Sequence, residues 1–331
     1  MVDLSIVVPV YNHAPYIEQA INSILMQKVN FSYEVLIGED CSTDNSREIL
    51  KGIEKRLPSQ FEIFYREHNM GGNGDGNFND LYSRMKGRYF IVLEGDDFWT
   101  YEYKLQKEYD FLETHPSYIA VAHDTNVVDE NGRDIPWSYP CCRKREYTIK
   151  DFRKGLLAGQ TTTIMVRNFM TYKLFDYKLL PSNYPGDRKK AFLYVANGRV
   201  ACLPYKWSSY RLVTTHGSSY SATSRQKPFD YRGTLDYFYS LYDYAIKHDV
   251  DKNVKMVSEQ LYFRVLFHVV RKKESRTILN INFKTFWNTF LSLQFPVRST
   301  AFLLLQIIKW PYRKIQEHIE SDRYNKATGL E

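Results

Sequence analysis

Short apolar runs alternate with helix-spaced apolar residues through the first third of the chain. Leu4–Val10 is a mostly apolar run of strand length, and after it Ile17, Ile21 and Ile24 recur every three or four positions. Further strands are predicted at 33–39, 61–65, 89–94 and 118–127, with helices at 14–27, 43–57, 77–86 and 101–114 between the strands. This alternation is typical of βαβ units, so it predicts an α/β fold with a Rossmann-like, mostly parallel central sheet flanked by helices.

The pattern changes along the rest of the chain. Residues 130–227 are mixed, with strands predicted at 161–167, 200–205 and 209–214. From residue 229 onward the pattern is helical, with helices predicted at 231–248, 252–272, 283–293 and 299–319, and Pro311 is expected to break the last of them. We therefore expect a main domain at 1–227, made of the halves 1–127 and 128–227, and a helical C-terminal extension at 228–331.

The composition is that of a globular protein. The 331 residues are 44% hydrophobic and 25% charged, which excludes intrinsic disorder and fibrous repeats as the main state. The four cysteines contain no CxxC pair and no Cys/His pair at zinc-ligand spacing, so we expect neither a disulfide framework nor a structural zinc site. A reducing, cytoplasmic compartment is favoured, because no basic segment precedes the first apolar run as it would in an export signal.

The net positive charge is concentrated in the last quarter of the sequence. Residues 250–331 hold 14 Lys or Arg against seven Asp or Glu. This excess of seven positive charges equals the net charge of +7 of the whole chain. Basic residues alternate there with Trp, Phe and Leu, a composition typical of helices that lie on an anionic membrane surface. Helices that cover the main domain or form a homo-oligomer interface are the alternative, and nucleic acid is the less favoured partner.

Polar residues stand where the predicted strands end, which is where ligands bind in open parallel sheets. The first strand is followed by Tyr11 and Asn12, the second by Asp40, and the fourth by the acidic turn Glu94–Asp97. If the sheet forms as predicted, carboxylates from two strands converge, and a divalent cation would offset their repulsion. Such oxygen ligands suit Mg²⁺ or Mn²⁺ shared with a diphosphate, whereas an ordinary solvated turn is the alternative for the acidic turn alone.

Four segments carry these motifs in a fixed order: Ser5–Asn12, Glu39–Ser46, Asn69–Gly71 and Leu93–Trp99. In that order and spacing they resemble the motifs of family 2 glycosyltransferases. The resemblance is strong over residues 3–127, moderate to about 221 and absent from the C-terminal helices. It implies a GT-A fold, a nucleotide-diphospho-sugar donor (commonly a UDP-sugar), a divalent metal cofactor (Mn²⁺ or Mg²⁺) and inversion at the anomeric carbon.

The resemblance also implies roles for single residues of the donor site. Pro9, Tyr11 and Asn12 would line the nucleotide pocket, and Asp40 would contact the base. The remaining residues of the predicted nucleotide-sugar site are Asn69, Gly71, Glu94, Asp96 and Arg211. The predicted metal ligands are Asp96, Asp97 and His216. Glu94 stands where the family has the first Asp of its DXD motif, so it is open whether Glu94 binds the metal, a water or the ribose.

The second half of the domain supplies the catalytic candidate. Pro185-Gly186-Asp187 resembles the segment that carries the family's catalytic carboxylate, so Asp187 is the predicted base that deprotonates the acceptor hydroxyl. A loop or helix-capping carboxylate is the alternative at Asp187, and an exposed imidazole is the alternative at His216. Arg211 is interpreted as a phosphate ligand, because a buried guanidinium needs a partner.

The favoured function is a metal-dependent inverting glycosyltransferase that moves a sugar to a glycan or lipid-linked acceptor in surface polysaccharide synthesis. A catalytically idle sugar-nucleotide-binding or scaffold protein at the membrane is the alternative, motivated by Glu94 and by the irregular segment around Asp187. A nucleotidyltransferase on the same scaffold is less favoured, and it would release pyrophosphate. The expected location is cytoplasmic, at the inner face of the plasma membrane.

Overall fold

A computed structural model describes residues 2–71, 75–168, 186–213, 230–248, 250–272, 275, 277, 279 and 281–328. The strands are β1 (Leu4–Val10), β2 (Tyr33–Glu39), β3 (Phe61–Tyr65), β4 (Tyr89–Val92), β5 (Phe98–Trp99), β6 (Tyr118–Val128), β7 (Glu146–Tyr147), β8 (Ile164–Arg167) and β9 (Arg199–Arg211). The helices are α1 (Ile17–Leu25), α2 (Ser46–Glu54), α3 (Asp75–Arg84), α4 (Lys104–Thr114), α5 (Ile149–Phe152), α6 (Gly186–Asn197), α7 (Tyr231–Lys247), α8 (Lys252–Arg271), α9 (Phe283–Ser292) and α10 (Pro296–Thr328).

Within the described chain the nine strands form one sheet, in the order β3-β2-β1-β4-β8-β6-β9-β5, with β7 beside β9. The pairs among β3, β2, β1 and β4 are parallel, as are β6 and β9. The short strands β5 and β7 pair antiparallel with β9, and β8 lies antiparallel between β4 and β6. Leu4 pairs with both Tyr33 and Tyr89, so the carboxyl ends of β1, β2 and β4 lie at the same edge of the sheet.

The core lies against the central strand. Side chains of β1 are buried on both faces of the sheet, because a strand with neighbours on each side and helices above and below meets no solvent. Leu4, Ile6 and Val8 share one apolar cluster with Ile17 and Ile21 of α1. The α/β class predicted from the sequence is therefore confirmed.

Two breaks predicted between elements are wrong. The strands predicted at 200–205 and 209–214 form one long strand, β9, which stays paired with β6 across register shifts at His123 and Asp124. The shifts absorb the exposed residues between the two predicted strands, which in the sequence look like a break. The expected break at Pro311 is also absent, since α10 continues through it to Thr328. A proline removes one backbone donor, which a long helix can tolerate without ending.

One pair of cysteines is joined, although the cysteine spacing predicted no disulfide framework. Cys142 and Cys202 form a disulfide, with their Cα atoms 5.7 Å apart, a separation usual for disulfides. The bond links the loop before β7 to β9 over a sequence separation of 60 residues. Such a pairing depends on the fold, which is why cysteine spacing did not indicate it. Cys41 and Cys141 are free thiols.

The described chain divides into two compact units. The first holds the whole sheet, and the second joins 149–155 and 186–196 to the C-terminal helices from residue 230 onward. In the second unit Phe192 of α6 packs its ring against Phe152 of α5 and Tyr244 of α7. The domain boundaries predicted at 127 and 227 stay predictions. Among the described helices, none has the length and apolar character needed to cross a bilayer.

Candidate active site

Two acidic turns are attached to neighbouring residues at the end of β1. The backbone N–H of Asp40 donates to the carbonyl of Val10 at 2.9 Å, and that of Gly95 donates to the carbonyl of Pro9 at 3.3 Å. The two bonds place the turns on opposite sides of β1, roughly 10 Å apart at two strand spacings. The carboxylates predicted to converge therefore do share one edge of the sheet.

The loop after β1 is fastened to the turn after β2. Asn12 has a positive φ of 58°, which an Asn tolerates better than most residues. Its N–H donates to Ser42 Oγ at 3.0 Å, and its Oδ1 accepts from the N–H of Thr43 at 2.8 Å. Asp44 accepts from the N–H groups of Ala14 and Ser46. Asp44 is thus engaged in holding the loop and the start of α2.

Asp40 is buried, with 3% of its surface exposed. Its Oδ1 accepts from the N–H of Met70 at 2.8 Å, and its Oδ2 accepts from the side-chain amide of Asn69 at 3.2 Å. Burial, the largest influence, raises the pKa of the Asp40 carboxyl, against the lowering effect of the Met70 hydrogen bond. Asn69 Oδ1 in turn accepts from the N–H of Gly71, whose φ of 69° suits glycine. The predicted residues Asp40, Asn69 and Gly71 are therefore brought together.

The acidic turn separates its two aspartates by environment. Asp97 is 1% exposed, and its carboxylate accepts from the N–H of Arg211 at 2.8 Å and from Gln160 Nε2 at 3.0 Å. Burial and then the charges of Asp96 and Glu94 raise the pKa of Asp97 well above its usual value. The Asp96 side chain is 20% exposed. Asp96 is thus the more exposed of the two aspartates.

Gln160 joins the acidic turn to the segment before β8, and sequence reasoning missed it. Its Nε2 donates to Asp97 and, at a longer 3.4 Å, to Glu94 Oε2. Its Oε1 accepts from the N–H and hydroxyl of Thr162, which fixes the orientation of the amide. Gln160 directly precedes the strand predicted at 161–167, but nothing in the sequence marked the glutamine itself.

Arg211 has partners that differ from the predicted donor phosphate. The side chain is 3% exposed, and its guanidinium donates to the carbonyls of Asp96, Asp129 and Glu130 and to Gln19 Oε1. The guanidinium also lies over the ring of Tyr16, 4.4 Å from its centroid. Backbone carbonyls and Gln19 thus supply the acceptors that a buried guanidinium needs, and the contact of Arg211 with a phosphate stays a prediction. Arg211 ties the acidic turn to the end of β6 and to α1.

His13 is a second residue that the sequence did not single out. Its Nε2 lies 3.9 Å from Asp96 Oδ2, and its Nδ1 is buried with no hydrogen-bond partner in the described part of the chain. A Cβ added at Gly95 would come within 2.6 Å of His13 Nδ1, so the turn needs glycine to lie this close. The imidazole therefore faces the carboxylate that is open to a ligand.

The donors at this edge fit a divalent cation that is shared with a diphosphate. Asp96 offers a partly exposed carboxylate with Glu94 close by in the same turn. No cluster of three or more His, Cys, Asp or Glu suited to hold a metal occurs among the residues that the structure describes. Mg²⁺ and Mn²⁺ tolerate so few protein ligands because phosphates and waters complete their coordination. The residues present fit that mode of binding and not a closed protein cage.

The remaining predicted residues lie elsewhere or outside the description. Pro9 and Tyr11 are half-buried at the end of β1. Asp187 lies in the first turn of α6, in the second unit, and its Oδ1 accepts from the N–H of Arg188 at 2.7 Å. That contact joins two adjacent residues in the first turn of the helix, and the role of Asp187 stays a prediction. His216 lies outside the described residues.

Comparison with known proteins gives one family. A model described as glycosyl transferase family 2 matches residues 5–178. An uncharacterised protein of Mycobacterium tuberculosis is 31% identical over 237 residues, which are 70% of this chain and 64% of that protein. The chain thus spans somewhat less than two thirds of the length of that relative. The poly(ribitol-phosphate) beta-N-acetylglucosaminyltransferase TarS of Staphylococcus aureus is 29% identical over 139 residues, 42% of this chain and 23% of TarS.

A solved structure is similar over nearly the whole length. The crystal structure of S. aureus TarS 1–349 in complex with UDP-GlcNAc superposes with a TM-score of 0.58 at 17% identity, and covers 99% of this chain and 92% of that one. At this identity the likeness concerns the fold. It confirms the predicted GT-A fold with C-terminal helices.

Proposed function

The chain belongs to glycosyl transferase family 2, and we propose that it transfers a sugar from a UDP-sugar to a hydroxyl of a glycan or lipid-linked acceptor during surface polysaccharide synthesis. One observation carries the proposal: the turns that hold Asp40 and Asp96 are bonded to consecutive carbonyls of β1. This arrangement supports a nucleotide site and a diphosphate site side by side at the edge of the sheet. The likeness to TarS, solved with UDP and with UDP-GlcNAc, supports a uridine donor.

The base and ribose would bind on the Asp40 side of β1. Asp40 is held by Met70 and Asn69, so its carboxylate has a fixed orientation before a ligand arrives. A preoriented acceptor can read the N–H of a uracil ring without further reorganisation. Pro9, Tyr11 and Asn12 would form the wall next to the base.

The diphosphate would bind on the Asp96 side with a Mn²⁺ or Mg²⁺ ion. Asp96 would be the direct protein ligand, and Glu94 would reach the ion or one of its waters. Such an ion, when bound, offsets the negative charge that develops on the departing diphosphate. The protein's own contribution is to hold Asp96 in place, which Arg211 does by bonding to its carbonyl and Gln160 by fixing the neighbouring Asp97.

Asp187 is the proposed base. Its carboxylate would accept the proton of the acceptor hydroxyl as that oxygen bonds to the anomeric carbon, while the bond from that carbon to the diphosphate breaks and UDP leaves with the electron pair. A single proton acceptor suffices for such an inverting transfer. The cytoplasmic location at the inner membrane face, the acceptor and the oligomeric state stay predictions.

The decisive experiment compares Asp96→Asn with Glu62→Gln, an exposed carboxylate on β3 that lies in none of the predicted motifs. UDP binding is titrated with and without Mn²⁺, and turnover is followed as UDP release from a panel of UDP-sugars. We expect Asp96→Asn to lose the Mn²⁺-dependent gain in UDP affinity and about a thousandfold in turnover, because metal and diphosphate charges lose their ligand. Unchanged Mn²⁺-dependent binding in Asp96→Asn would remove the metal assignment.

A second variant tests the base. Asp187→Asn should keep UDP affinity and lose transfer, since only the proton acceptor is removed. Release of pyrophosphate in place of UDP by the native enzyme would contradict the transferase chemistry altogether.

A further inference from the structure

Helix α9 presents large apolar side chains to solvent. Trp287 is 58% exposed and Leu291 is 67% exposed, and their spacing of four places them on one face of the helix. Phe286 and Phe290 lie on another face and pack against Phe263 of α8. The exposed face of α9 is therefore the one that points away from α8.

Helix α10 repeats this arrangement. Its four most exposed large apolar side chains are Val297 (81%), Ile308 (73%), Leu304 (55%) and Leu305 (51%). These positions share one helical face, whereas Phe302 and Leu303 on the other face are buried. Leu303 belongs to the same apolar cluster as Phe263, so α10 also turns its exposed face away from α8.

A buried carboxylate fixes the turn between the two helices. Glu259 of α8 has no exposed surface, and its side chain accepts from the N–H groups of Gln294 and Phe295 and from the hydroxyl of Ser299. These contacts hold the end of α9 and the start of α10 against α8. We call the six exposed residues, Trp287, Leu291, Val297, Leu304, Leu305 and Ile308, the apolar platform.

All charges in the sequence around the apolar platform are positive. Residues 275–316 contain no Asp or Glu and six basic residues, namely Arg276, Lys284, Arg298, Lys309, Arg313 and Lys314. Lys284, Arg298 and Lys309 are exposed. An apolar face in a segment whose charged residues are all basic complements a layer of anionic headgroups over hydrocarbon.

We propose that the apolar platform docks this protein onto the surface of an anionic lipid bilayer. A second copy of the chain would bring the same positive charges together, and their repulsion would oppose that pairing. Trp287 suits the headgroup level because its ring is apolar and its N–H is polar. The proposal goes beyond sugar transfer. The candidate active site of the first unit could act on a water-soluble acceptor without a membrane.

The test is flotation of the full chain with vesicles of phosphatidylcholine alone or with a quarter phosphatidylglycerol. We expect binding to the anionic vesicles that weakens as salt rises from 0.05 to 0.5 M, because screening shortens the reach of the charges. The triple variant Lys284→Gln, Arg298→Gln, Lys309→Gln should bind about a hundredfold more weakly, at about fivefold for each cation. The triple variant Trp287→Ser, Leu291→Ser, Ile308→Ser should lose binding to the anionic vesicles.

Matched controls come from exposed residues of the first unit. Leu25→Ser with Met26→Ser removes exposed apolar side chains, and Lys55→Gln, Arg56→Gln, Lys107→Gln removes three exposed cations. Both controls should float like the native chain. Absence of binding by the native chain, or equal loss in a control, would overturn the proposal. A second outcome would also overturn it: the native chain sediments as a dimer and binds no vesicles, and the apolar triple variant sediments as a monomer.

Failure of the docking proposal is separable from failure of the proposed function. UDP release from a water-soluble acceptor assay should be the same in all these variants, because none of the substituted residues belongs to the candidate active site. Circular dichroism of each variant shows whether its helices are intact.

Discussion

The acidic turn and the junction of α9 with α10 use the same chemical group in opposite ways. At the acidic turn, Asp96 is partly exposed and stands beside two more carboxylates, Glu94 and Asp97. At the helix junction, Glu259 is fully buried, and backbone N–H groups and a hydroxyl surround its oxygens. The Asp96 carboxylate can therefore still bind a ligand, whereas the hydrogen bonds of the Glu259 carboxylate go to groups of the fold.

Apolar side chains are placed differently in the two regions. Around β1 they are buried and the polar groups point outward at the edge of the sheet, whereas in α9 and α10 the carboxylate is inside and Trp287 and Ile308 are outside. A partly exposed carboxylate among other carboxylates favours a cationic ligand, and an exposed apolar face in a segment whose charges are all positive favours an anionic lipid surface. The partners of a residue, more than its type, therefore decide whether it stabilises the fold or binds a ligand.

Substitution of Asp96 should separate the effect on activity from the effect on stability most clearly. Asp96→Ala should reduce UDP-sugar turnover by about a thousandfold and change the free energy of unfolding by less than about 0.5 kcal/mol, because its side chain is a ligand for something outside the chain. Turnover and urea unfolding measured on one preparation check both halves of the expectation. A loss of several kcal/mol of stability would make Asp96 a structural residue like Glu259.

Glu259 should respond in the opposite way. Glu259→Ala removes the acceptor of two backbone N–H groups and one hydroxyl, so the free energy of unfolding should fall by about 3 kcal/mol. Urea unfolding monitored by helical circular dichroism measures this loss. Glu259→Gln keeps one acceptor oxygen and should lose less, and Glu62→Ala on the surface of β3 should lose nothing measurable. An Ala variant as stable as the Gln variant would contradict the role given to the carboxylate.

Much of this contrast was within reach of the sequence, and part of it was not. The first three strands and the place of Asp40 and Asp96 follow from local apolar runs and from motif order, since each is encoded within a few residues. Gln160 and the disulfide between Cys142 and Cys202 depend on segments brought together over 60 or more residues. The partners of Arg211 could not be predicted because backbone carbonyls, which every residue carries, leave no trace in a sequence.

Arg211 is a buried charge that holds the partly exposed Asp96 in place, because its guanidinium bonds to the Asp96 carbonyl. Arg211→Lys keeps the charge but cannot make the four hydrogen bonds of the guanidinium, so the free energy of unfolding should fall by about 2 kcal/mol. Release of the Asp96 carbonyl should also weaken Mn²⁺-dependent UDP binding by about tenfold. Calorimetric titration and urea unfolding check the two effects. Arg133→Lys, at an exposed ion pair, is the matched control and should change neither.

A third kind of carboxylate is buried under the sheet with side chains as its partners. Glu108 Oε2 accepts from Lys104 Nζ at 2.7 Å, and Glu108 Oε1 lies 3.6 Å from His123 Nε2, with all three side chains fully buried. The Lys104 ammonium also lies over the ring of Trp99, 4.6 Å from its centroid. Burial raises the pKa of Glu108 to about 7 despite the nearby Lys104. Burial, with the charge of Lys104, lowers the pKa of His123 well below its usual value.

These two shifts make stability depend on pH with opposite signs. Between pH 4.5, the ordinary value for Glu, and about 7, the folded state holds a proton on Glu108 that the unfolded state has lost, so stability falls as pH rises. Below pH 6.5 the unfolded state gains a proton on His123 that the folded state does not take up, so stability rises as pH rises. From about pH 5 to 6.5 the two slopes oppose each other. Lys104 is common to both single variants and does not affect their difference.

Removing either group should expose the slope of the other. Glu108→Gln should make the free energy of unfolding rise by about 1.4 kcal/mol per pH unit between pH 5 and 6.5, and His123→Gln should make it fall by about the same amount. Urea unfolding at four pH values in this window measures both slopes. His115→Gln replaces an exposed imidazole on the same unit and should leave the native profile unchanged. If the two variants gave parallel profiles, these buried side chains would not titrate against each other, and Glu108 would belong with Glu259 as a carboxylate whose charge the fold fully satisfies.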